Sequence, residues 1–360
     1  MCGDTLNLKR VLKSTVLHLP AIVCTVTIIA LLLIKPVIAS NGIKSGLNLL
    51  LTTIIPSLFP FLVVSSYIAS SKSFSLLSRF FERSTKAVFK LSGDAFIPIL
   101  MGVLGGYPVG AKITADLYKA QRLTQNEAER LMYFTVNSGP AFTVTAVGVS
   151  MLNSYYSGLI LFCSCILTSL TIGFFCRFLS DDKIIKNTPE LNNDKTLAFI
   201  NSVSSGANAI INISAWVLTF SCASALINQF SLNHNLELFL NAVLEVTNGC
   251  SLCAKSTSLP VISAVLGFGS FSVICQISPF FTLCGVKLKN FIASRILNAA
   301  LSAFFTSQLL KLFPQAAETA IIYTTKNNTI GVSYTISATI ILLIMCVFFI
   351  LQVDNRKKVC

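Results

Sequence analysis

The chain is 360 residues long, with 54% hydrophobic residues, only 11% charged residues and a mean hydropathy of +0.75. So little charge cannot clothe a soluble globule of this size, which excludes a water-soluble domain and makes the bilayer the solvent. The net charge of +13 would suit a nucleic-acid binder, but Lys and Arg are dispersed between apolar runs, and that excludes nucleic acid as the partner.

Apolar runs near the spanning length of about 18–20 residues fall at residues 16–34, 47–69, 131–152, 158–179, 207–228, 259–285, 291–313 and 333–352. They predict an all-α polytopic helical bundle with about eight transmembrane helices. The first run follows Lys9, Arg10 and Lys13, and Val37-Ile-Ala39 has the small residues of a signal-peptide cleavage site. The run is longer than a signal-peptide core and Lys35 separates it from that site, so it reads as an uncleaved span. Two shorter apolar segments, 95–110 and 237–256, carry Gly, Pro, Asn and Thr in their middles. That pattern fits re-entrant helical hairpins, which enter and leave by one face.

The basic residues fix a topology. With a cytoplasmic N-terminus, the inner segments are 1–15, 70–93, 111–130, 177–204, 286–295 and 354–360, and they hold 22 of the 27 Lys and Arg. Both termini are then cytoplasmic. The count works only if the segment around Gly105–Gly110 returns to its own side, and by the same count the second hairpin opens outward.

The two halves also share an order of landmarks. Ser45-Gly-Leu-Asn48 corresponds to Ser205-Gly-Ala-Asn208, the stretch 106–112 to 249–255, and Gly139 to Gly269. Similar halves facing opposite ways make an inverted-topology repeat, whose interrupted helices point to a mid-membrane site. The chain divides into an N-terminal helix and connection (1–45), a first repeat (46–180), a linker (181–204), a second repeat with its following helix (205–313), and a C-terminal helix with a basic tail (314–360).

Helix breaks inside lipid free backbone groups, each costing several kcal/mol unless a partner or a solute satisfies it. Gly105, Gly106 and Gly110 let the chain turn around Tyr107 and Pro108, and Pro108 removes a donor. Asn137 and Ser138, ahead of Gly139-Pro140, offer an amide and a hydroxyl for a base, a sugar or a cation, or for the break's own carbonyls. Glu245 is the sharpest candidate, because a carboxylate in a membrane segment marks a functional site by default. Thr247, Asn248 and Gly249 follow it, and Gln276 lies deep in the next span.

Other polar residues have plainer readings. Asp94 and Glu237 sit where helix caps belong. Lys112 and Lys255 end the two hairpins and suit snorkelling to the headgroups. Thr124-Gln-Asn-Glu127 has the form of a capping box. The twelve cysteines lie mostly within spans as small apolar side chains; Cys250 and Cys253 have a redox or metal spacing but no second pair, so no metal site and no cofactor is expected. The common hydrolase, nucleotide-binding and metalloprotease signatures are missing, and the chain does not read as an enzyme.

The stretch Gly105-Gly-Tyr-Pro-Val-Gly-Ala-Lys-Ile-Thr-Ala-Asp-Leu-Tyr118, with Asn126-Glu-Ala-Glu-Arg-Leu131 and Asn137-Ser-Gly-Pro140, resembles the nucleoside-recognition (Gate) domain family in its sporulation integral membrane protein branch. Leu244-Glu-Val-Thr-Asn-Gly249 and Gly269-Ser-Phe-Ser-Val-Ile-Cys-Gln276 match the same branch, and the resemblance covers about residues 46–285. Relatives of this domain occur in concentrative nucleoside transporters and ferrous-iron transport proteins. The resemblance therefore implies a transporter-like core, a role in endospore formation, and a small polar solute, nucleoside-like or cationic, as partner besides the lipid bilayer. A homo-oligomer is compatible with it. The competing expectation is a scaffold or assembly factor of the spore envelope that no longer transports.

Overall fold

The computed structural model describes residues 29–70, 75–179, 195–230 and 233–313, and every regular element among them is helical. The expected span at 333–352, most of that at 16–34, and linker residues 181–194 lie outside the described residues.

The first rod begins at α1 (Pro36–Leu49), passes a π-turn at Leu50–Ile54 and continues as α2 (Ile55–Ser70). The wide turn stands just ahead of Pro56, whose missing N–H and bulky ring disfavour a tight α-turn there. This rod runs antiparallel to the long α8 (Lys195–Ile227): Gly42 faces Ala225 at one end and Gly206 faces Val63 at the other. The backbones are so close that a Cβ on Gly42 would lie 2.7 Å from Ala225 Cβ and 2.9 Å from Ser221 O. Lipid gives no hydrophobic drive between helices, so small residues that permit such approach carry this packing.

Residues 70–93, expected as a loop, contain a helix, α3 (Ser75–Phe89). It interleaves Arg79, Arg83 and Lys86 with Phe80, Phe81 and Phe89, which gives it one apolar face. Phe81 stacks on Phe96 at a centroid distance of 3.7 Å. Lys90, with φ of 51°, ends the helix, and the chain bends by 89° into α4 (Phe96–Gly105).

The first half continues through α5 (Tyr107–Lys119) and α6 (Gln125–Phe134), an unwound stretch at 135–139, an 11-residue π-helix (Ala141–Met151) and α7 (Tyr155–Cys176). The capping box forms as expected: Glu127 N–H donates to Thr124 Oγ1 at 3.2 Å, and Thr124 N–H donates to the Glu127 carboxylate at 3.0 Å. After α8, the second half runs through α9 (His234–Leu244), α10 (Val246–Ser256), α11 (Leu259–Phe268), α12 (Ser270–Leu283) and α13 (Leu288–Leu312).

Among the described residues, three helical runs are long and apolar enough to cross a membrane: Tyr155–Cys176, Leu197–Ile227 and Leu259–Leu283; the bent α3–α4 pair makes up to four. The other expected spans differ for physical reasons. The run at 131–152 is broken where α6 ends, and the run at 47–69 is interrupted by the π-turn. Helix α13 has 25 residues, roughly 37 Å at 1.5 Å per residue, but Asn290, Arg295 and Asn298 make it too polar to stand alone in lipid.

The α1–α8 seam yields a stability prediction. Gly42→Leu should destabilise the protein by about 1–3 kcal/mol through overpacking, whereas Ile43→Ala, at a 43% exposed neighbouring position, should change little. Thermal unfolding of the purified protein in detergent measures both.

Candidate functional site

Four interruptions of helix define the site. Gly106 separates α4 from α5 with φ of 87°, a conformation glycine alone adopts without strain. Residues 135–139 separate α6 from the π-helix. Glu245, extended at φ −145°, separates α9 from α10, and Gly269, left-handed at φ 81°, separates α11 from α12.

These breaks meet. A Cβ on Gly106 would lie 3.1 Å from the backbone nitrogen of Gly139, so the first two breaks touch through glycine backbone. The Tyr107 ring lies against Gly269, and its hydroxyl donates to Leu266 O at 2.6 Å. A cavity of about 80 Å³ opens between them, lined by Gly105, Gly106, Tyr107, Pro108, Gly139, Glu245, Thr247 and Gln276. Its remaining wall is largely apolar, including Ile54, Leu58, Phe61, Ile213 and Val217 from α1–α2 and α8. At roughly 10–15 Å³ per water, the space takes a handful of waters or a small solute.

Glu245 is 2% exposed and caps α10: its Oε2 accepts from Asn248 N–H at 2.7 Å. Capping accounts for one carboxylate oxygen, and the side chain also borders the cavity. Gln276 donates through Nε2 to Ser272 Oγ at 3.0 Å, and its backbone carbonyl accepts from Asn212 Nδ2 at 3.2 Å.

The other candidates from the sequence are off the cavity. Gly110 lets α4 and α5 close on each other, since a Cβ there would collide with Thr135 O and stand 2.9 Å from Gly102 Cα. Gly249 does the same for α9 and α10, where a Cβ would stand 2.5 Å from Ala242 Cα. Asn137 serves its own break by donating to Phe134 O at 2.7 Å and to Ser169 Oγ at 3.0 Å. Ser138 is buried beside it in a tight polar pocket against α7, α11 and α13. Asn248 contributes its backbone N–H to Glu245.

Two residues outside the sequence reading complete the break at 135–139. Arg295, 1% exposed on α13, donates through Nη2 to Tyr133 O at 2.5 Å and through Nη1 to Val136 O. Asn298, one turn on, donates to Ser294 O at 2.9 Å and to Tyr133 O at 3.3 Å. The sequence signal was the spacing of Arg295, Asn298, Ser302 and Thr306, which puts one polar stripe on α13. The stripe continues into α11 and α7, with Ser302 hydrogen-bonded to Ser263 at 2.7 Å and Thr306 donating to Ser164 at 2.8 Å.

The lysines that end the hairpins differ from each other. Lys112 is buried, donating to Ser66 Oγ and pairing with Asp116 at 2.6 Å, so it does not reach the headgroups; Lys255 is exposed. Asp94 holds Arg122 in a two-point ion pair, Nη2 to Oδ1 at 2.5 Å and Nε to Oδ2 at 3.0 Å, which ties the turn after α5 to the short turn before α4. Cys250 and Cys253 are buried free thiols.

The apolar all-helical architecture and the buried breaks define an integral membrane protein. Residues 51–155 match the Gate family, described as nucleoside recognition, and this span includes the first hairpin and the break at 135–139. The chain is also similar to the sporulation integral membrane protein YlbJ of Bacillus subtilis (strain 168), 24% identical over 316 residues that cover 74% of this chain and 76% of that protein. No solved structure matches the chain.

The Tyr107 contact is testable alone. Tyr107→Phe keeps the ring against Gly269 but leaves the buried Leu266 carbonyl without its donor, and should cost about 1–3 kcal/mol in thermal or denaturant unfolding.

Proposed function

We propose that the protein binds and moves a small polar solute across a membrane of the sporulating cell by alternating access. One observation carries this reading: three helix breaks, at Gly106, Gly139 and Glu245, line one cavity bordered by a buried carboxylate, and the fourth, at Gly269, packs against the Tyr107 ring that lines it. Discontinuous helices with their ends at a common point are how membrane carriers bring backbone dipoles to a solute. The nucleoside-recognition match and the sporulation relative support the same reading.

In this proposal the two hairpins are re-entrant, dip from opposite leaflets and belong to an inverted repeat within eight crossings, with both termini cytoplasmic. The halves rock about the cavity, and Glu245, Thr247 and Gln276 recognise the solute. A cavity of about 80 Å³ suits a small cation or a few ordered waters, and a nucleoside requires the hairpins to part. The protein is not an enzyme in this reading.

A second reading is a non-transporting scaffold of the spore envelope. The mostly apolar wall of the cavity favours it. Untargeted metabolite comparison of spores from wild-type, deletion and Glu245→Gln strains separates the two. Gln keeps an acceptor for the Asn248 N–H, so the cap survives while the charge is lost. A carrier gives the same altered metabolite in the deletion and in Glu245→Gln; a scaffold gives no such shared change, and Glu245→Gln then behaves as wild type.

A further inference from the structure

We infer that Arg295 is the resident cation of the helix break at 135–139, a tethered guanidinium in the position that a mobile coupling ion takes in broken-helix carriers. Helix α6 ends at Phe134 and the chain stays unwound until the π-helix. The helical (i+4) donor position for the Val136 carbonyl is Pro140, which has no N–H to offer, and the Tyr133 carbonyl loses its helical donor when the turn opens at residue 137. Both lie at the negative end of the α6 dipole, inside a membrane protein. Such carbonyls at the C-terminal end of a half-helix are typical ligands for a cation.

Arg295 fills that position. Its two terminal nitrogens bond the Tyr133 and Val136 carbonyls, and its Cζ lies 5.1 Å from the centroid of the Phe291 ring. No acidic side chain forms an ion pair with it among the described residues. A buried cation without a carboxylate partner is sustained by hydrogen bonds and dipoles, which here come from the break itself. Arg295 also stands seven residues, roughly 10 Å, inside α13 and is 1% exposed, so its guanidinium is enclosed by protein.

This deepens the carrier reading, because a break whose carbonyls are held by a side chain needs no mobile cation there. It rests on that reading for its meaning but not for its test, since the test reads stability rather than transport. A failure of transport would leave the Arg295 assignment standing, and a failure of the assignment would leave the cavity unchanged.

The experiment is chemical rescue in the full-length protein purified in detergent. Arg295→Ala should lower the melting midpoint by roughly 10 °C. Guanidinium below its denaturing range should recover a large part of that loss, while the neutral analogue urea at the same concentration should recover none, and neither should raise the wild-type midpoint. Arg295→Lys, which keeps the charge but loses the fork, should fall between wild type and Arg295→Met. The assignment is overturned if Arg295→Ala melts with the wild type, or if guanidinium helps it no more than urea does. Should Arg295→Ala yield no folded protein, the yield of monodisperse Arg295→Lys against Arg295→Met decides: more lysine variant upholds the assignment, equal or less overturns it.

Discussion

A helix can be interrupted in lipid only if every carbonyl and N–H it releases finds a partner, and this structure is organised around meeting that demand. At the break at 135–139 the released oxygens are those of Tyr133, Phe134 and Val136. Arg295 and Asn298 from α13, Ser169 from α7 and Asn137 within the break supply the donors. At Gly269 the Leu266 carbonyl takes the hydroxyl of Tyr107. Inside α12, Pro279 leaves Cys275 O without its helical donor, and Ser278 Oγ bonds it at 2.9 Å. At each of these three points a named side chain takes a released carbonyl, so these kinks are built positions rather than frayed ones.

The donors are exchanged between halves. Tyr107, at the tip of the first hairpin, closes the break of the second half; Arg295, on the helix after the second half, closes the break of the first. Tying the breaks to one another also shapes the cavity, since Gly106 and Tyr107 of one break, Gly139 of a second and Glu245 of a third all line it. A shift in one hairpin therefore changes the hydrogen bonding of the opposite half as well as the volume between them. Packing of α1–α2 against α8 supplies the apolar wall on the remaining side.

The breaks were legible because residues that interrupt helices are few and chemically distinct. Gly106, Gly139-Pro140, and Glu245 among small polar residues stood out against apolar sequence, and the capping box at Thr124 announced the start of α6. Asn137 was legible as a donor to its own break, but the partners on other helices were not, because their separation is one the sequence does not encode. Arg295 counts among the cytoplasmic cations in the sequence because the inner segment 286–295 ends on it, whereas α13 runs from Leu288 to Leu312 and buries it. Lys112 looked like an interfacial lysine because Ser66, on another helix, and Asp116, one turn on, gave no hint of burying it. Helix α3 was hidden by its own charge: its Arg and Lys mark one face, and a scan for continuous apolar residues passes over a helix that is apolar only on the other.

The separation between these partners bears on how the molecule is made. Arg295 lies 159 residues after Val136 and 162 after Tyr133. A ribosome delivers the unwound segment to the membrane long before it delivers the side chain that completes it, and domains assemble from the N-terminal end as they emerge. Within the first half Asn137 and Ser169 already take the Phe134 carbonyl, but those of Tyr133 and Val136 need water or another donor until α13 is made. Completion of this break is therefore a late step in synthesis, set by a helix that follows it by about 150 residues.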